Sequence, residues 1–245
     1  MKRAVVCSGG GIRACAFTLG VMSRVRQYDV MYTKSGSAWA GFLIKQMGVA
    51  NAKKWVLSNM DDRSKVMDFS LWGIWQNKYI FTYGPLLKKF KAIERRYGGM
   101  ASMKYKAISQ DVLRKHYVED LSADTAISSS TLLGIHKVER QLFDLAGEGF
   151  YPTQTFNGFD EIVFIDAYNQ DTPGSPGILG GIMDQVERPL NYLSRDFVED
   201  INRQHPGKLN WVQVPTSLRV GIADFDKDAI EQCFDAGYKM SAGVI

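Results

Sequence analysis

Short apolar runs, stopped by glycine and serine, alternate along this chain with stretches whose apolar positions recur every three or four residues. Ala4-Val5-Val6-Cys7 is the first run. It rises out of Lys2-Arg3 and ends at Ser8-Gly9-Gly10-Gly11, a pattern that predicts a buried strand closing in a tight turn. Ala14 to Val25 then reads as a helix, Val30-Met31-Tyr32 as a second short strand, and Ala38 to Met47 as a second helix. Gln141-Leu142-Phe143 predicts a further short strand, and Asp160 to Ala167, centred on Ile162-Val163-Phe164-Ile165, a fully buried one. Between Ile178 and Gln204, the residues Ile182, Val186, Leu190, Leu193, Phe197 and Ile201 fall mostly three or four apart. That spacing predicts an amphipathic helix interrupted at Pro189, expected to pack on the sheet, with a lid over a site as the sharper alternative. Strands that feed helices predict an α/β fold with a central, mainly parallel sheet flanked by helices.

The triglycine turn between the first strand and helix aims backbone N–H groups at an anion. A dinucleotide pyrophosphate requires G-x-G-x-x-G, and this chain fails that spacing: Gly9, Gly10 and Gly11 are contiguous and the next glycine is Gly20, inside the helix. The other candidate anion is transient, the oxyanion of a tetrahedral acyl intermediate, for which Gly10 and Gly11 would be the donors. It requires a nucleophile. Ser35, in Thr33-Lys34-Ser35-Gly36-Ser37-Ala38-Trp39, sits on the predicted turn from the second strand to the second helix, the setting of a nucleophile elbow. An elbow needs small residues two positions to either side. Ser35 has Thr33 and Ser37 there, whereas Ser37 would have Trp39, so Ser35 is preferred over Ser37. The plainer alternative is a serine-rich turn that caps a helix. The three histidines, His116, His136 and His205, share no pattern with either serine, so a Ser-His-Asp triad has no support in the sequence.

Ser8-Gly9-Gly10-Gly11-Ile12-Arg13-Ala14, Gly20-Val21-Met22 and Ser35-Gly36-Ser37-Ala38-Trp39 resemble the patatin-like and cytosolic phospholipase A superfamily of serine lipid acyl hydrolases. Thr33 stands where that family has the first elbow glycine. The resemblance implies a three-layer α/β/α fold, an oxyanion hole at Gly10 and Gly11, and a Ser–Asp dyad without histidine. For the dyad, Asp144 is the candidate base: it ends the Gln141–Phe143 strand before a glycine turn and resembles the family's aspartate segment, with Leu145-Ala146 in place of its small residues. Asp166 is the alternative base, against a plainer role capping the turn after its strand. Arg13 would bind the lipid phosphate, or pair with an acidic residue at the sheet edge. Val214-Pro215-Thr216 followed by Asp226 to Tyr238 is similar to the family's closing extended segment and terminal helix. The likeness touches residues 3–47, 140–170 and 212–241.

Composition adds compartment and surface. The chain has 245 residues, 45% of them hydrophobic, and no Pro/Ser-rich linker, so it reads as one domain over 1–245, with residues about 53–135 as a helical, basic-aromatic insertion or cap. No apolar run reaches the 18 or so residues a membrane span requires. The four apolar residues after Lys2-Arg3 are too few for a signal peptide, and Cys7, Cys15 and Cys233 form no paired or metal-ligand spacing. A cytoplasmic protein, peripherally associated with membrane, is expected. Net charge is only +4, but residues 53–117 interleave bases with aromatics: Lys53-Lys54-Trp55, Trp72-Gly73-Ile74-Trp75, Lys88-Lys89-Phe90-Lys91, Arg95-Arg96-Tyr97 and Lys104-Tyr105-Lys106. That mixture suits an anionic phospholipid surface; the plainer reading buries Trp72 and Trp75 in the core and leaves the lysines as a solvated face. No nucleic-acid clamp, cofactor or metal motif is recognisable. The expected function is a phospholipase A type hydrolase acting through Ser35 and Asp144, with a noncatalytic lipid- or nucleotide-binding protein that retains the glycine loop as the alternative.

Overall fold

The computed structural model describes residues 1–76, 78–99, 103–111, 117–118, 121–132, 135–137, 142–143, 151–168 and 192–243. Its centre is a run of five parallel strands in the order β5 (Lys104–Asp111), β2 (Val30–Lys34), β1 (Arg3–Cys7), β8 (Glu161–Asp166) and β9 (Leu209–Gln213). Two short strands, β6 (Tyr117–Val118) and β7 (Leu142–Phe143), add antiparallel to the carboxyl end of β5. The chain is therefore an α/β protein with helices on both faces of the sheet, a three-layer arrangement.

Period-two alternation along the strands divides the interior between those faces. Ala4 and Val6 of β1, Tyr32 of β2, and Ile162 and Phe164 of β8 point to one side, where they meet Phe197, Val198 and Ile201 of a helix over 192–204, α6. Val5 and Cys7, Met31, and Val163 and Ile165 point to the other, against α1 (Gly11–Met22), α2 (Gly36–Asn59) and α7 (Lys227–Met240). α1 is apolar or small nearly all round and every residue from Ile12 to Met22 is buried. That is the signature of a helix enclosed by other elements, and each large side chain such as Phe17 or Leu19 contributes about 1.5–3 kcal/mol by leaving water. α7 lies directly on it: a Cβ at Gly20 would overlap the Phe234 carbonyl, and one at Gly237 the Phe17 carbonyl, so the two backbones touch where both helices lack a side chain. α2 changes direction at Gly48, whose φ of 75° leaves the helical region; its first half is buried and its second half is amphipathic.

The segment 53–135 is not the helical insertion expected from sequence. Its residues 104–111 form β5, a full member of the sheet, with Lys106 Nζ over the Tyr32 ring and Tyr105 buried against Tyr28. α4 (Gly84–Tyr97) and α5 (Ala123–Ser128) pack on α2. The part with a sheet of its own is an excursion made of β3 (Asp68–Phe69), α3 (Leu71–Trp75) and β4 (Phe81–Thr82), in which β3 and β4 pair antiparallel. Trp72 and Trp75 lie on it and are exposed, so the core placement weighed for them is overturned. Of the amphipathic stretch 178–204, the part within the described residues is α6, which packs on the sheet; the rest lies outside them. Among the described residues no helix is long and apolar enough to cross a membrane.

Candidate active site

Parallel strands open their carboxyl ends on one edge of the sheet, and the turns after β1 and β2 meet there. Ser35 links β2 to α2 with φ 54° and ψ −131°, and among the described residues it is the one non-glycine with positive φ. A residue with a Cβ held in that region marks a strained turn. Two hydroxyls secure it. Ser37 Oγ donates to the Lys34 carbonyl at 2.8 Å and accepts from Lys34 N at 3.0 Å, and Ser129 Oγ accepts from Ser35 N at 2.9 Å. Ser37 is wholly buried and Ser35 is partly exposed, so the structure separates the two serines: Ser37 braces the turn and Ser35 stands at its apex. Thr33 is accommodated at the elbow position that small residues usually hold because Gly41 faces it; a Cβ at Gly41 would lie 2.9 Å from Thr33 Cγ2.

The glycine loop lies against this apex. A Cβ at Gly9 would sit 3.0 Å from Ser35 Cβ, and one at Gly36 would overlap the Gly11 carbonyl. Gly10 has φ 124° and Gly11 φ 56°, conformations open to glycine. Ile12 N donates to the Ile222 carbonyl at 3.0 Å and Ala14 N to the Gly10 carbonyl at 3.1 Å, whereas the N–H groups of Gly10 and Gly11 meet no acceptor among the described residues. Two unengaged donors at a helix start, beside a strained serine, form a cradle for negative charge. Tyr168 also reaches this point, its hydroxyl 2.5 Å from the position a Gly9 Cβ would take.

Arg13 is corrected. Its guanidinium is fully buried, with Nε donating to the Ala167 carbonyl at 2.8 Å and Nη1 to the Val220 carbonyl at 3.0 Å, and burial pushes its pKa down to about 10, still charged at neutral pH. It ties the start of α1 to the end of β8 and to the 218–225 segment, and is not exposed to a lipid phosphate. Asp166 is engaged on the α6 side of the sheet. It ends β8, two strands from β2, and its Oδ1 accepts from Tyr168 N at 3.1 Å and from Ser194 Oγ of α6 at 3.0 Å. Burial raises its pKa to about 6. That is the turn-capping role weighed for it. Asp144 follows β7 and lies outside the described residues, as does His116.

Of the other histidines, His205 Nε2 bonds the Thr153 carbonyl at 3.1 Å on the α6 side of the sheet. His136 stacks on Tyr83 with ring centroids 4.4 Å apart, accepts from Leu132 N at Nδ1, and is driven by burial to about 3, hence neutral. It borders a narrow cleft beside Gly11, with about 20 Å³ of free space, walled by Trp39, Met67, Phe81, Tyr83 and Phe225. Among the described residues no group of three His, Cys, Asp or Glu side chains is assembled to hold a metal ion.

Sequence reasoning missed three participants. Ser129 left a trace in the run Ser128-Ser129-Ser130, and Gly36 could have been read from its position directly after Ser35. Tyr168 left none, since its approach to Gly9 depends on the turn after β8. Compared with known proteins, the chain matches no family model, and no curated protein matches it.

Proposed function

We propose that this chain is a serine-dependent lipid acyl hydrolase that cleaves fatty acyl esters of phospholipids, with Ser35 as nucleophile. The observation that supports this reading is the strained Ser35 apex seated against a glycine loop with two N–H donors that meet no acceptor among the described residues. In the reaction, Ser35 Oγ attacks the ester carbonyl and its proton passes to a carboxylate base, for which Asp144 is proposed. The carbonyl oxygen, now an oxyanion, takes hydrogen bonds from Gly10 and Gly11, an effect worth about 3–4 kcal/mol per donor in acyl-transfer enzymes. Collapse expels the alcohol, which recovers the proton, and leaves an acyl-serine. Water, deprotonated by the same base, then attacks the acyl-serine carbonyl; the bond to Ser35 Oγ breaks, Oγ takes the proton back from the base, and the fatty acid leaves. The largely apolar residues around the narrow cleft beside Gly11 would line an acyl chain once the cleft, with about 20 Å³ free, has opened.

The experiment is labelling with a fluorophosphonate, which reacts with activated serines. The wild type is expected to label and to hydrolyse a short p-nitrophenyl ester; Ser35→Ala, folded as judged by circular dichroism, is expected to do neither, while Ser37→Ala loses stability. A folded wild type that resists the label would leave the glycine loop to a binding role.

A further inference from the structure

Large apolar side chains are concentrated on the surface of the β3-α3-β4 excursion. Phe69 is 59% exposed, Leu71 75%, Trp72 61%, Ile74 40% and Trp75 73%, all within seven residues. With about 200 Å² for a full side chain of this size, they offer on the order of 600 Å² of side-chain surface. That equals the largest apolar patch an ordinary soluble monomer shows, and it falls short of the ~800 Å² per partner that a stable protein interface buries. The fold holds these side chains out deliberately. Ser70 caps α3 by accepting from Gly73 N at 3.0 Å, Ser70 N bonds the Ile80 carbonyl, and a Cβ at Gly73 would meet the Tyr79 ring, so the short helix is pinned from below and its aromatics have nowhere to fold inward. The Trp72 and Trp75 rings lie 5.0 Å apart and form one amphipathic tip.

Two further observations indicate what the tip meets. The base of the excursion runs into α4 through Leu86 N bonded to the Val66 carbonyl and Lys89 Nζ bonded to the Lys65 carbonyl. From there α4 exposes Lys88, Arg95 and Arg96, while Lys89 is held by the Asn59 and Lys65 carbonyls and Lys91 pairs with Asp124 at 3.1 Å; the three exposed cations are complementary to anionic headgroups. On its inner side the excursion leads to the candidate site: Phe69 packs edge-on to Phe81 at 5.9 Å, and Tyr83, just after β4, packs on Trp39 at 5.5 Å, with Phe81, Tyr83, Trp39 and Gly11 all lining the same cleft. A row of rings, Phe69, Phe81, the neutral His136, Tyr83 and Trp39, thus runs from the excursion to the cleft beside the glycine loop.

We infer that the β3-α3-β4 excursion is a membrane-inserting element, which seats Leu71, Trp72 and Trp75 at the headgroup–acyl boundary of an anionic phospholipid bilayer and opens that row of rings to an acyl chain. Tryptophan is suited to that depth, having an apolar body with one polar N–H. The inference rests on the lipid hydrolase reading for the role of the row, and not for the docking itself. The test is therefore run in Ser35→Ala protein, so that substrate turnover does not alter the vesicles. Co-sedimentation is measured with phosphatidylcholine vesicles, with and without phosphatidylglycerol. Binding to the anionic vesicles is expected to fall at least tenfold for Trp72→Ala/Trp75→Ala, and for Leu71→Glu, and to weaken with added salt and with Lys88→Glu. Bromine-labelled acyl chains are expected to quench tryptophan emission in the parent protein and not in the double variant. Binding indifferent to the tryptophans and to Leu71, or a dimer that these substitutions convert to monomer while vesicle binding stays absent, would overturn the inference. Failure of the wild type to take fluorophosphonate would strike the hydrolase reading alone.

Discussion

At Arg13, a cation that the sequence offers for a substrate phosphate is instead used to hold backbone. Its carbonyl partners at 167 and 220 lie far along the chain, so no local pattern could reveal them. Removing the guanidinium leaves buried acceptors unsatisfied at about 1–3 kcal/mol each, and Arg13→Ala is expected to lower stability by about 3 kcal/mol in urea unfolding. Its activity loss should be equal on phospholipid and on a neutral p-nitrophenyl ester; a loss confined to phospholipid would restore the phosphate role. Asp166 gives a pH signature. Its carboxyl titrates near 6 in the fold against an ordinary 3.8, because burial disfavours the charge. Between those values the folded chain holds the extra proton, so stability falls as pH rises. The penalty is absent below about 4 and complete above about 6, and a shift of this size corresponds to about 3 kcal/mol. Asp166→Asn keeps an acceptor for Tyr168 N and Ser194 Oγ and is expected to remove this decline; the difference in melting between the two proteins from pH 4 to 7 isolates it from the exposed carboxylates. The place of Ser35 at the apex of its turn was legible because close backbone approach leaves a mark on its neighbours: Trp39 could not occupy such a position, and it is buried in α2 instead.

The strand-turn-helix elements around the site were legible for the same local reasons, with β1, β2 and β8 appearing where short apolar runs predict them. Helix limits were less so. α1 begins at Gly11, three residues before the apolar pattern suggests, since Gly10 caps it and its carbonyl already accepts from Ala14 N. α2 runs on to Asn59 because Gly48 bends it without ending it. The fit between α1 and α2 has little tolerance. A Cβ at Gly36 would overlap the Gly11 carbonyl, backbone against backbone, so Gly36→Ala must push the glycine loop away from Ser35. Overpacking of this kind costs about 1–3 kcal/mol in stability, but a displacement near 1 Å at reacting groups costs on the order of 10² in rate. Hydrolysis of the soluble ester and urea unfolding, measured on the same protein, should show that disproportion. The β3-α3-β4 excursion was the element least readable in advance, because tryptophans three residues apart look alike whether their helix face is buried or exposed. What decides it is the pinning of α3 by Ser70 and Gly73, a tertiary fact.

At the scale of the whole molecule, the layered arrangement was readable from strand-helix alternation, whereas the sheet order was not, since β5 is drawn from the middle of a basic-aromatic stretch that carries little strand signal. The contact between α1 and α7 is the least local of all, joining Gly20 to Gly237. Contacts of such long sequence separation form late, because the intervening chain must first give up its freedom. The turn that bears Ser35 is held partly by its neighbours, through Ser37 on Lys34, and partly by Ser129, still nearer in sequence than α7 is to α1. Time therefore divides the site. During synthesis the serine precedes by about 180 residues the Val220 and Ile222 carbonyls that hold Arg13 and Ile12 at the helix start beneath the glycine loop. Until that segment has been made, the chain carries the serine without a finished cradle beside it.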